Sequence, residues 1–489
     1  MTCMPNRFLR SLTASAAAAT LCGCAVGPNY VRPTTPIAPA YKEQAGQEQG
    51  WNPAHPADLA PRGDWWALFE DPALSALEAR VAVSNQNIAA AEAAWRQAEA
   101  LVREQRAALL PALDLSAGAT RSGGGSGSGG TVVNSGGGTV VTSGGGAATR
   151  YRASVGASWE PDVWGRIRRG IENARGSAQA SEADLAAARL SAQATLAADY
   201  FDLRQTDLQI ALLRQVTAGY QRSLQIAQNR FNAGIAPHSD ALQAQSQLAS
   251  AQADLADLSS SRAAFEHAIA VLAGEAPETF SIAADPNWRA ATPEIPPGLP
   301  STLLQRRPDI AAAERRAAAA SAAIGVETAA WFPSLTLTGS YGFSASQLGK
   351  LISAPASVWS YGASLAQTLF DAGATRARVS GARAAYDQTV AQYRQTVLAA
   401  FQDVEDQLAA QRALVAEDTL RRQAAEASER AAVMVLNQYK EGQVAYTDVV
   451  TAQATALSAR RTLVQTTAAR QTTAVALVQA LGGGWTAPL

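Results

Sequence analysis

The stretch NRFNAGIAPHSDALQAQSQL, residues 229–248, is written a second time as NQYKEGQVAYTDVVTAQATA, residues 437–456. From 229 to 437 the offset is 208 residues. At that offset Asn229 meets Asn437, Gly234 meets Gly442 and Asp240 meets Asp448, while Phe231 and Ser239 are matched by Tyr439 and Thr447. Each copy describes the same event. A long run without proline ends in a glycine, as helix C-termini commonly do. A new helix then restarts at Ser239-Asp240 or Thr447-Asp448, chemistry suited to an N-terminal cap. Gly234 and Gly442 therefore mark the tight tips of two helical hairpins.

Working outward, the proline-free runs are Gly165 to Phe231 and Gly373 to Tyr439. At ~1.5 Å per residue each helix would be about 100 Å long. The returning helices end near Leu272-Ala273-Gly274 and at Ala480-Leu481-Gly482-Gly483-Gly484-Trp485. Upstream, NIAAAEAAWRQAEALVREQRAALLPALDL from Asn87 is echoed by DIAAAERRAAAASAAIGVETAAWFPSLTL from Asp309. The chain is thus a tandem duplication. Repeat 1 covers 65–275 and repeat 2 covers 302–484. A Pro-rich linker, 276–301, joins them, and 485–489 is a short tail. In repeat 1 the first helix reads from Ala73 to Leu109, opened by Asp71-Pro72 and stopped by Pro111.

Between the helices the period changes from that of a helix to two. Leu113, Leu115, Ala117 and Ala119 alternate with Asp114, Ser116, Gly118 and Thr120, and Tyr151 to Trp159 alternates likewise. The second copy repeats this from Leu335 to Phe343 and from Trp359 to Leu365. Four such segments read as two β-hairpins, 112–160 and 334–370. One face is apolar, the other is small and polar, and aromatics are expected at the strand ends: Tyr151, Trp159, Tyr341, Phe343, Trp359 and Tyr361. That combination fits a membrane barrel with a wet lumen better than a strand pair on a soluble core. The first interstrand stretch, 121–149, is a Gly/Ser-rich low-complexity loop. Its Gly125-x-Gly127-x-x-Gly130 matches a dinucleotide fingerprint only formally, because no helix follows.

Four strands cannot close a barrel, and open sheet edges are not tolerated in lipid. Several copies must share one barrel, and three copies would supply twelve strands above a matching ring of helices.

The N-terminus reads as an export signal, 1–23. Arg7 and Arg10 precede an apolar core from Leu12 to Leu21 that is too short to span a bilayer. Leu21-Cys22-Gly23-Cys24 resembles a lipobox cut before Cys24, leaving Cys24 to carry covalent lipid; a plain secretory signal with a free Cys is the alternative. Residues 24–64, rich in Pro, Gly and Gln, read as an extended lipid-anchored tether. Ala25 after the Cys resembles the sorting pattern of outer-membrane lipoproteins. A net charge of −1 argues against nucleic-acid binding. His55, His238 and His267 are scattered, and no metal-ligand spacing, nucleotide loop or nucleophile–base pair is present. No catalytic residue, metal or other cofactor is expected, and Glu160 and Asp162 at the strand-to-helix junction read as structural caps.

CAVGPNYVRP at Cys24, DWWALFEDPALSAL at Asp64, WEPDVWGRIRR at Trp159, QRRPDIAAAE at Gln305, AWFPSLTLTGSYG at Ala330, TLFDAGATR at Thr368 and ALGGGW at Ala480 resemble the outer membrane factors. More narrowly, they resemble the lipoprotein channels of resistance-nodulation-division multidrug efflux systems. The resemblance covers nearly the whole mature chain. It implies a mainly α fold with membrane β: a homotrimer whose duplicated helical hairpins form a periplasmic α-barrel continuous with a twelve-stranded β-barrel, four strands per chain, in outer-membrane lipid. An equatorial belt would be built from the termini and the linker. The implied partners are a periplasmic adaptor and an inner-membrane pump.

Family channels close at the periplasmic tip. By position Asp240 matches a carboxylate that in some members bonds across neighbouring coils, Tyr439 matches its aromatic partner, and Asp448 matches a carboxylate ring around the axis. Val444 stands where some members have a locking Arg, and Thr451 where many have a second Asp, so closure is expected to be built differently here. On physical grounds alone, Asp448 either joins such a ring, where like charges favour cation capture, or only caps its helix. The function expected is a passive export duct for drugs or other small molecules. The competing readings are an outlet for type I protein secretion or metal efflux, and a scaffolding lipoprotein without a pore.

Overall fold

A computed structural model describes residues 25–35, 41–43, 63–122, 148–289, 291–293, 295 and 306–483. The signal segment with Cys24, most of the tether, the body of the Gly/Ser-rich loop, part of the linker, His55, Trp485 and the tail lie outside the described residues. The elements in chain order are α1 (Pro72–Ser84), α2 (Gln86–Ala107), β1 (Ala112–Ser122), β2 (Ala148–Trp159), α3 (Arg166–Asn232), α4 (His238–Leu272), α5 (Pro308–Ala329), β3 (Ser334–Ala345), β4 (Ser357–Ala366), α6 (Ala374–Lys440) and α7 (Tyr446–Ala480).

The duplication is kept to the residue. α3 and α6 are offset by 208 at both ends, as are α4 and α7; α2 and α5 are offset by 222 at both ends. The 14-residue change between 222 and 208 falls within the hairpins. It equals the difference between the 25 residues of 123–147 and the 11 of 346–356. The Gly/Ser-rich insertion thus extends a loop without disturbing any helix.

The helix read from Ala73 to Leu109 is two helices. Asn85 leaves helical geometry (φ −68°, ψ 122°). Its Oδ1 accepts the Asn87 and Ile88 N–H groups, and its Nδ2 donates to Leu272 O at 2.9 Å. A buried side chain that caps one helix start and one helix end repays the break, since termini otherwise leave backbone groups unpaired.

The described chain forms two compact units that cut across the repeats. One holds the described residues within 25–32, 98–178 and 317–389; the other holds those within 33–97, 179–316 and 390–483. In the first unit β1, β2, β3 and β4 make one antiparallel sheet in that order. β2 pairs with β3, so hairpins from different repeats share a sheet, and β1 and β4 are its edges. Asp162 accepts the Ile167 and Arg168 amides, the structural capping expected of it, whereas Glu160 caps no amide among the described residues and forms an ion pair with Arg166. Arg169 holds the tether by donating to Val26 O, Gly27 O and Asn29 Oδ1.

In the second unit the largest core packs Trp65, Phe69, Leu74 and Val81 against Leu196, Tyr200 and Phe201 of α3, Ile269 of α4 and Val475 and Leu477 of α7. Linker residues Phe280 and Ile295 belong to it. Asp71 caps α1 through the Ala73 and Leu74 amides and also accepts Tyr200 Oη (2.7 Å) and Trp288 Nε1 (2.9 Å). Burial alone would raise its pKa, but these donors outweigh it and hold the carboxyl below its usual range. Asp207, flanked by Arg204 and Arg262, accepts the Asp285 amide, while Arg204 donates to Ala283 O and Arg262 to Ile282 O. The linker is thereby latched to α3 and α4. Tether residues Lys42 and Glu43 donate their amides to Glu405 on α6. Glu78 of α1 is wholly buried, and neither carboxyl oxygen has a hydrogen-bond partner among the described residues. Burial pushes its pKa up to about 9.

Candidate functional site

In the first unit the sheet registry sorts side chains by face. Leu115, Val155, Tyr341 and Trp359 form one cross-strand row, and Leu113, Ala157, Gly339 and Tyr361 the next. These side chains share the apolar face, and they are bare: Leu115 is 80% exposed and Tyr361 82%. The opposite face carries Ser116 hydrogen-bonded to Ser154 and Ser340 to Ser360, each pair 2.9 Å apart, with Asp114, Arg150, Arg152 and Thr338.

Trp159 and Tyr151 lie towards opposite ends of β2, and Phe343 and Trp359 lie near the loop ends of their strands. Tyr341 and Tyr361 sit further in, which corrects the expectation of aromatics confined to strand ends. In register Tyr361 is opposite Gly339 and Tyr341 opposite Trp359, so the rings fall in neighbouring cross-strand rows. Trp359 and Tyr361 stack nearly parallel, 5.7 Å apart. No described helix is long and apolar enough to cross a membrane.

In the second unit the hairpin tips meet. Gly234 and Gly442 take positive φ, 72° and 78°, and the amides of Ile235 and Gln443 reach back to Arg230 O and Gln438 O at 2.9 Å. This six-to-one bond needs a left-handed residue, for which glycine pays least. The restarting helices begin at His238 and Tyr446, so the N-cap positions are Pro237 and Ala445 rather than the Ser-Asp and Thr-Asp pairs expected. That places Asp240 and Asp448 at the third helical position of their copies.

The two copies then diverge for a simple reason. Ala445 has an N–H, which donates to Asp448 Oδ2 at 3.2 Å. Pro237, its counterpart, has none. Asp240 is therefore free of that duty and instead accepts the Tyr439 hydroxyl at 3.1 Å. Tyr439 is 2% exposed and lies edge-on to Tyr446, in a cluster with Ala227, Ala241, Ala244 and Val449 against which Val444 packs. Burial and then the Asp240 charge push the Tyr439 phenol up to about 12, so it serves as a donor.

Sequence reasoning missed Arg230. Its Nη1 donates to Tyr439 O and Lys440 O at the end of α6, at 3.2 and 3.0 Å, and its guanidinium sits 4.8 Å from the Tyr439 ring centre. A cation at a helix C-terminus and over an aromatic face is favourable on both counts. Asp448 and Thr451 are exposed, and the Thr451 hydroxyl donates to Thr447 O. The His238 ring lies against Phe231 at a tilt of 38°, and His238 and His267 are both at the surface. No group of metal-ligating side chains occurs among the described residues.

The family model for "Outer membrane efflux protein" matches residues 72–275 and 299–483. The outer membrane protein OprJ of Pseudomonas aeruginosa is 30% identical over 471 residues, 96% of this chain and 94% of that protein. The cation efflux system protein CusC of Escherichia coli is 27% identical over 470 residues, 95% of this chain and 96% of CusC. Among solved structures, the outer-membrane channel OprN superposes with a TM-score of 0.83 at 31% identity, covering 94% of this chain and all of that one.

Proposed function

This chain belongs to the outer membrane efflux protein family, and from that premise we propose that three copies pool their sheets into a twelve-stranded barrel above a ring of helical hairpins. The protein is an outer-membrane channel of a tripartite efflux system. The sheet carries the reading of how it is built. It has one bare apolar face, one small polar face and two unpaired edges. In lipid the apolar face is favoured outward, while open edges are forbidden. Pairing β1 of one copy with β4 of the next removes every edge and turns the serine-rich face to water.

Transport through such a tube is passive. Energy comes from an inner-membrane pump joined through a periplasmic adaptor, and the cargo, drugs or other small molecules, is selected upstream. Cys24 carries the lipid, the covalent group of the mature chain. Asp240, Tyr439 and Arg230 tie the two hairpin tips of one chain together and hold the periplasmic end narrow, and Asp448 and Thr451 face the axis. Catalysis has no part in this function.

Conductance in planar bilayers tests the reading. Purified protein opens discrete, long-lived channels, and deletion of the gene raises intracellular drug accumulation. A protein that never permeabilises the film is a scaffold instead.

A further inference from the structure

The charge on the sheet is one-sided. From Ala112 to Trp159 the sequence has three cations, Arg121, Arg150 and Arg152, and one acid, Asp114; from Ser334 to Ala366 it has Lys350 and no acid. Both interstrand loops, 123–147 and 346–356, are free of Asp and Glu. The cations gather at the loop end of the strands, since α2 leads into the start of β1 and α3 follows the end of β2.

Registry assigns their faces. Arg152 lies opposite Gly118 on one side and Ser344 on the other, and Arg150 lies opposite Thr120. All of these are on the small polar face, where the neighbours leave room for long side chains. Arg121, opposite Thr149, falls on the apolar face. Arg150 and Arg152 are exposed, and the side chain of neither makes an ion pair or hydrogen bond among the described residues. Asp114 is opposite Gly156, four residues from Arg152, or about 13 Å along the strand. Its carboxylate lies against Gly156, where an added Cβ would meet Oδ1 at 2.7 Å. Asp114 makes no ion pair with Arg150 or Arg152 among the described residues, and at that backbone separation salt weakens its pull on the pair.

We propose that Arg150 and Arg152 form an anion-binding ring at the outer mouth of the duct, selective for solutes that carry phosphate or several carboxylates. The inference rests on the trimeric duct. Three copies bring six guanidinium groups around one lumen with no acid among them. A ring of Arg in a narrow aqueous passage concentrates anions and repels cations, and a guanidinium fork matches phosphate oxygens in particular. The ring sets a charge preference at the exit that is independent of any at the periplasmic tip.

The test is single-channel recording with inorganic tripolyphosphate added to one compartment at a time. The wild-type channel is blocked from one compartment only. In Arg150→Gln/Arg152→Gln the block weakens about tenfold or more, and the zero-current potential in a KCl gradient moves towards cation preference. Arg121→Gln, on the other face, keeps the wild-type block. A preserved unitary conductance in each variant reports an intact barrel. Block that is absent in the wild type, unchanged in the double variant or abolished by Arg121→Gln overturns the ring. A preparation that never conducts overturns the duct itself, and the ring with it.

Discussion

The Tyr439 hydroxyl donates to the Asp240 carboxylate at 3.1 Å across 199 positions of sequence. The bond joins the last turn of α6 to the first turn of α4, so it ties one helical hairpin to the other within a chain. A hydrogen bond to a charged acceptor contributes about 1.5–3 kcal/mol. Tyr439→Phe and Asp240→Asn are each expected to loosen the tip and raise mean conductance, and the double variant should add little to either. Additive effects in single-channel recordings would mean that the two residues act separately.

Pro237 is what releases Asp240 for that bond. Pro237→Ala restores an N–H at the position where Ala445 holds Asp448. In that background Asp240 is shared, and the coupling between Asp240 and Tyr439 should fall to half or less. A double-mutant cycle measured with and without Pro237→Ala decides this; equal coupling in both backgrounds contradicts it.

Arg230 contributes through geometry as well as charge. Arg230→Ala forfeits two carbonyl contacts and the ring contact, a loss of about 1–2 kcal/mol at the tip. Arg230→Lys keeps the charge but not the fork, and should recover less than half of it. Protease accessibility of the tip loops gives the readout, and full rescue by Lys would leave charge as the only role.

Glu78 makes stability depend on pH. Its carboxyl ionises near 4.5 in the unfolded chain and only at about 9 when folded. The folded state therefore holds the extra proton between those values, and stability falls as pH climbs through the window, levelling above it. Glu78→Met removes the titrating group and its unpaired oxygens. The variant should melt higher than wild type, with a gap that widens from about pH 5 to about pH 9. Melting curves that shift in parallel at every pH would contradict the assignment.

Most of the architecture was legible in residues 229–248 and their echo, because a repeated Gly-to-Asp spacing fixes two hairpins at once and period two fixes the strands. The proline-free runs 165–231 and 373–439 come within one residue of both ends of α3 and α6. What escaped depended on tertiary partners. The break at Asn85 is stabilised by Leu272 O, far away in sequence. The N-cap fell at Pro237 and Ala445, and the Asp at the third helical position reaches back to the N-cap N–H where one exists, at Asp448, but bonds Tyr439 where proline leaves none, at Asp240. Arg230 looked like an ordinary last-turn cation, and nothing local announced that it reaches the carbonyls of the other hairpin. Tyr439 and Asp240 were identified through family resemblance rather than through any sequence period.

The most direct measurement of the central claim is the native mass of the detergent-solubilised assembly. Closure of four-stranded sheets into a sealed barrel requires a particle of three chains that persists on dilution. A particle of one chain, with β1 and β4 still unpaired, would contradict the account.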